Sequence, residues 1–113
     1  MISARKTDAV AILDISGKMV GGPEAAEFKK AIGDLLAAGY KQVLLNLAEV
    51  PWVNSTGLGI FVAGYTSLKR EGGNLKLVKV TERVRTILAV TRLDSVFEIF
   101  GDEAEAVASF QRN

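Results

Sequence analysis

Two hydroxyls, Ser55 and Thr56, stand side by side in the stretch Val53-Asn54-Ser55-Thr56-Gly57-Leu58-Gly59. An apolar run, Val43-Leu44-Leu45-Asn46-Leu47, and a connector, Ala48-Glu49-Val50-Pro51-Trp52, precede them; a helix-like run from Ile60 to Arg70 follows. A Ser or Thr at a helix start accepts a hydrogen bond from a backbone N–H that has no partner within the helix. A hydroxyl on a strand-to-helix connection of an α/β chain also lies at the carboxyl edge of the sheet, where such folds place their sites. From the residues alone both uses stay open, and they are compatible.

A serine acting as a nucleophile needs a base. The chain has no histidine, which removes Ser-His-Asp chemistry and the commonest metal ligand. It has no cysteine, which removes thiol chemistry and disulfides. A Lys or carboxylate base would be the rarer arrangement, and none is evident. We therefore expect no enzyme, no catalytic residue, no metal site and no cofactor. Gly57-Leu58-Gly59 begins like a dinucleotide fingerprint, but its third glycine would fall at Val62. Asn54-Ser55-Thr56 fits a glycosylation acceptor; without a secretory signal the match is a coincidence.

The elements that must position the hydroxyls follow from patterning. A chain of 113 residues makes one domain, here 1–113, with enough buried surface for one core. Hydrophobic content of 49%, charged content of 24% and a net charge of +1 suit a soluble domain and argue against a nucleic-acid partner. No apolar run is long enough to enter a membrane, and the amino end lacks the apolar core of a signal peptide, so a cytoplasmic protein is expected.

Ile2 to Lys6 and Ala9 to Ser16 read as a hairpin around Thr7-Asp8. A loop, Gly17 to Gly22, leads to Pro23 and Glu24, which suit the first turn of a helix. Phe28, Ile32, Leu35 and Leu36 give its apolar stripe and Gly39 its stop. Val43 to Leu47 reads as a central strand. Leu58, Phe61, Val62, Tyr65 and Leu68 form the stripe of the next helix, closed by Lys69-Arg70 and Gly72-Gly73. Leu75 to Val80 is a further strand, and Thr81 caps a helix carrying Val84, Ile87 and Leu88. Val96 to Phe100 is a last short strand. Asp102 with Glu105 forms a capping box for a helix burying Val107 and Phe110. The order ββαβαβαβα predicts an α/β fold with a mixed, mostly parallel sheet of about five strands and helices packed on it. Trp52 reads equally as an exposed partner anchor or as cover for a sheet edge.

Leu45-Asn46-Leu47, the turn after it and Asn54-Ser55-Thr56-Gly57-Leu58-Gly59 resemble the signature of STAS domains. Within that family they are most similar to the bacterial anti-sigma factor antagonists, and the likeness covers essentially the whole chain. It implies that Ser55 is phosphorylated by a partner kinase. The partner would be an anti-sigma factor that is itself an ATP-dependent serine kinase, and the unphosphorylated protein would bind it and release a sigma factor. A PP2C-type phosphatase would reset the switch. The partner surface this implies takes Asn54, Ser55, Thr56, Gly57 and Leu58 from one loop-helix junction. Val20, Gly21 and Gly22 join it from the loop before the first helix, with Trp52 beside them. A transporter-bound STAS adaptor, with Ser55 an unmodified contact, is the alternative. The sequence differs from the family where acids are usual: Asn46 and Asn54 each replace an Asp, and Gly17-Lys18-Met19-Val20 ends in valine rather than Asp.

Overall fold

A computed structural model describes residues 1–112; Asn113 lies outside the described residues. Five strands form one sheet in the order β1-β2-β3-β4-β5: β1 Ile2–Thr7, β2 Val10–Ser16, β3 Gln42–Glu49, β4 Asn74–Val78 and β5 Ile99–Phe100. β1 runs antiparallel to β2, and every other neighbouring pair is parallel. Four α-helices connect or follow them: α1 Pro23–Ala37, α2 Ser55–Arg70, α3 Glu82–Val90 and α4 Glu103–Ser109. This is the predicted order and the predicted mixed sheet.

Consecutive parallel strands that are also neighbours force their crossovers to turn in the same sense. α1, α2 and α3 therefore stack on one face of the sheet. Ala11, Leu13 and Ile15 of β2, Val43, Leu45 and Leu47 of β3, and Leu75 and Leu77 of β4 meet Phe28, Ile32, Phe61, Leu68, Val84 and Leu88 there. Phe28 and Phe61 lock α1 to α2 edge to face, their ring centroids 5.6 Å apart. The alternate residues Val10, Ile12, Leu44 and Val78 face the other way and are covered by Ala106 and Phe110 at the carboxyl end.

Lys76 also points to the α4 side, and it is fully buried. Its Nζ donates to Ser109 Oγ at 2.9 Å, lies 3.2 Å from Glu98 Oε2, and sits 4.6 Å from the Phe110 ring centroid. On the same side, exposed Arg5 of β1 pairs with Asp14 of β2 and, at 2.8 Å, with Glu103 of α4. The Arg5 guanidinium is held charged, first by Asp14 and then by Glu103. In return Arg5 keeps both carboxyls below the usual carboxylate range.

Several boundaries differ from the sequence reading, and β3 is longer than expected, running from Gln42 to Glu49. The hairpin turns at Asp8-Ala9, with Asp8 in the left-handed region at φ 48°. β4 stops at Val78 because Lys79 adopts φ 57°, which ends strand geometry. The last strand keeps only Ile99 and Phe100. Residues 93–95 wind into a short 3₁₀ turn, and Phe97 is drawn into the α1–α3 core against Tyr65, 5.4 Å away.

Candidate functional site

The site is built where two loops are zipped together beyond the ends of β2 and β3. Gly17 N–H donates to the Glu49 carbonyl at 3.0 Å, and Met19 N–H to the Trp52 carbonyl at 3.1 Å. Asn54 N–H returns to the Met19 carbonyl at 3.3 Å, so Met19 and Val53 form an isolated parallel bridge. Met19, Val50 and Val53 anchor this ladder in the core. Thr81 adds the third loop: its hydroxyl donates to the Val50 carbonyl at 3.2 Å and accepts from Val84 N–H at 3.4 Å, capping α3.

The expected cap and the observed one differ by one residue. Neither Ser55 nor Thr56 caps α2; Asn54 does, its Oδ1 accepting from Gly57 N–H at 2.9 Å. α2 accordingly begins at Ser55, five residues before the apolar run at Ile60 that marked it in the sequence. The Asn54 amide also reaches back, Nδ2 donating to the Val20 carbonyl at 3.3 Å. Relieved of capping, Ser55 and Thr56 are exposed, and neither hydroxyl has a hydrogen-bond partner among the described residues.

Gly57 is required by close approach. A Cβ there would run into the Met19 carbonyl oxygen, so any larger residue would push the loops apart. Gly21 has φ 97°, and a Cβ on it would strike the Thr56 methyl. Gly57 thus joins the two loops from within and presents no surface of its own. Leu58 keeps the place in the α2 stripe that its spacing predicted and loses the place on the partner surface that the resemblance implied. It is 4% exposed and belongs to the core under α2, because the helix starts early enough to turn it inward. The surface expected from Leu58 comes instead from Val20, which is 39% exposed, with Gly21 and Gly22 exposed beside it. Trp52 is half-buried, and the Arg83 guanidinium of α3 stacks 4.6 Å from its ring centroid.

Two residues that sequence reasoning passed over organise this surface. Glu24 Oε1 accepts from Gly22 N–H at 2.7 Å and Val20 N–H at 3.1 Å. Backbone N–H groups of Glu24 itself, Gly22 and Val20, in that order, hold its carboxyl below the usual range. Gly22-Pro23-Glu24 was legible only as a helix start; that its acid would fold back over the loop is a tertiary fact. Arg83 carried no signal beyond being one of several basic residues. Asn46, third of the departures from acid, donates from Nδ2 to Asp14 Oδ1 at 2.8 Å and accepts from Ala48 N–H, which orders the end of β3.

An exposed serine heads a helix, on a ledge of two parallel-paired loops after adjacent parallel strands. A STAS domain family model matches residues 1–106. The chain belongs to the STAS domain family. A Thermotoga maritima protein named as an anti-sigma factor antagonist is 32% identical over 113 residues, covering 99% of each chain. A crystal structure of an anti-sigma factor antagonist from Thermotoga maritima superposes with a TM-score of 0.88 at 30% identity, covering 97% of this chain and 94% of that one. The anti-sigma-B factor antagonist of Bacillus subtilis is 38% identical over 53 residues, 47% of this chain and 49% of that one. Among the described residues of this STAS domain, no helix is long and apolar enough to cross a membrane.

Proposed function

We propose that this STAS protein is an anti-sigma factor antagonist that works by partner switching, with Ser55 as the switch. The unmodified protein docks the ledge of Val20, Gly21, Gly22, Trp52, Asn54, Ser55 and Thr56 onto an anti-sigma factor, freeing a sigma factor. That anti-sigma factor is an ATP-dependent serine kinase; it phosphorylates Ser55 and so releases this protein. A PP2C-type phosphatase restores the docking form. ATP belongs to the kinase, so this chain holds no cofactor and performs no catalysis itself. The named relatives support the antagonist role.

The observation that carries the reading is the freedom of Ser55. Its hydroxyl is exposed, unpaired and fixed at the first residue of α2, where a kinase can reach it. A phosphate there meets the positive end of the helix and its free N–H groups, so it leaves the helix intact. Its effect falls on docking. A group of about −1.5 to −2 charge beside Val20 and Trp52 must be desolvated or excluded when the partner arrives. A loss of roughly 4 kcal/mol weakens binding about a thousandfold.

Intact mass of the protein from its own cells, before and after phosphatase treatment, tests the switch. The expected result is a phosphate mapping to Ser55. A Ser55 that is never modified favours the transporter adaptor, with this serine as a plain contact. Ser55→Asp gives the complementary test by calorimetry: the fold and its thermal midpoint stay, and affinity for the anti-sigma factor falls at least about tenfold. Unchanged affinity rejects the docking mechanism.

A further inference from the structure

The two departures from acid nearest Ser55 belong to one arrangement. Val20 is held at both of its peptide groups. Its N–H donates to Glu24 Oε1 at 3.1 Å, and its carbonyl accepts from Asn54 Nδ2 at 3.3 Å. The same Glu24 oxygen takes Gly22 N–H at 2.7 Å, so the segment is pinned on both sides of the Val20 carbonyl. Asn54 then passes the restraint on, since its Oδ1 accepts from Gly57 N–H at 2.9 Å. Glu24, Val20, Asn54 and Gly57 thus make an unbroken hydrogen-bonded path from α1 to the first turn of α2. Ser55 lies between the last two of them.

We propose that this path makes Glu24 a positioning residue for Ser55. The proposal rests on the reading of Ser55 as the switch. The path explains why an amide is needed at position 54. An ionised Asp can only accept, so it would cap Gly57 yet set a negative oxygen against the Val20 carbonyl. Asn both caps and bridges. Glu24 moves the loop by gripping its N–H groups, the loop carries the Val20 carbonyl, and that carbonyl orients the cap that sets Ser55.

The charge on Glu24 faces few others. Backbone N–H groups of Glu24, Gly22 and Val20 hold its carboxyl below the usual range, against a smaller opposing effect of burial. From its own helix the next acid is Glu27, which is engaged by Ile2 N–H at 3.1 Å. Lys18 is the charged residue of the loop and makes no salt bridge with Glu24 among the described residues. From α2 the residues meeting the loop are Thr56 and Gly57, neither of which titrates.

The test is an amide NMR titration of the full-length, unmodified protein from pH 7 down to pH 3. Val20 and Gly22 amides follow Glu24 directly. If the path is real, the amides of Ser55 and Gly57, which do not touch Glu24, shift with the same midpoint. In Glu24→Gln, which keeps an oxygen acceptor and so keeps the fold, that response disappears and Gly57 exchanges its hydrogen at least about twofold faster. In Asn54→Ser the hydroxyl still caps Gly57 but is too short to bridge to Val20, and Gly57 no longer follows Glu24. A Gly57 amide that stays flat while Glu24 titrates overturns the proposal. So does one that responds equally in either variant. These readouts need no phosphate. A silent Gly57 therefore ends the positioning role while the switch stands, and an unmodified Ser55 ends the switch while the coupling stands.

Discussion

Ser55 and Ser109 are the two serines at opposite ends of this molecule's polar chemistry. Ser109 is 4% exposed; it accepts from Lys76 Nζ and donates to the Ala106 carbonyl at 2.6 Å. Ser55 is exposed, and its hydroxyl has no hydrogen-bond partner among the described residues. Ser109 is fully committed because the lysine beneath it is fully buried and needs every partner it has. Ser55 is free because Asn54 took over the task that a serine at a helix start usually performs. A hydroxyl becomes available for chemistry when a neighbour relieves it of structure.

Cutting the committed end should have the largest effect. Lys76→Ala leaves a cavity, takes away the donor to Ser109 and removes the partner of Glu98; we expect about 3 to 4 kcal/mol of lost stability by urea unfolding, most of it from the cavity. Lys76→Met fills the same space without a charge and should recover most of that loss. Gly57→Ala comes next at about 2 to 3 kcal/mol, because its methyl meets the Met19 carbonyl and the two loops must part. The serine pair gives the direct comparison. Ser109→Ala should cost about 1 to 2 kcal/mol by leaving Lys76 short of an acceptor, whereas Ser55→Ala should stay within about 0.5 kcal/mol. Equal losses for the two serines would erase the distinction between them.

A further small effect, one that depends on pH, belongs to the exposed cluster of Arg5, Asp14 and Glu103. Both carboxyls ionise more readily in the folded protein than when unfolded. Their contribution is therefore present above the usual carboxylate range and is lost as pH falls through the depressed folded values. Arg5→Ala should lower stability at pH 7 by at most about 1 kcal/mol and flatten the acid limb of the stability curve. An unchanged slope below about pH 4 would show that the pair contributes nothing measurable.

Patterning revealed what repeats along one segment and hid what joins two. Phe28, Ile32 and Leu35 announce α1 by their spacing, and the apolar run from Val43 to Leu47 announces the central strand. Thr81 and Asp102 cap the helices that their types suggested. Lys79 gave no sign of its left-handed backbone, and Lys76 looked like any solvated charge in a strand. The hydroxyl at Ser55 was legible. The ledge around it was not, since its ladder pairs residues 17–19 with residues 49–54 and no local periodicity encodes that match. Leu58 was read correctly by its helical spacing as part of the α2 stripe; only the surface role that the resemblance implied for it fails, because it is buried under α2.

The strand order has a kinetic consequence. Each strand pairs with the one made just before it: β1 and β2 close over a tight turn, and each later parallel ladder closes over one helical crossover. The sheet can grow from its amino end during synthesis, one hairpin and then one crossover at a time. The zipped loops around Ser55 draw on residues 17–24 and 49–57, and their backbone ladder closes with β3 and the start of α2. Thr81 and then α4, with its grip on Lys76, arrive afterwards. Up to that point Lys76 stays in water, and the burial of its charge is deferred to the last step of assembly.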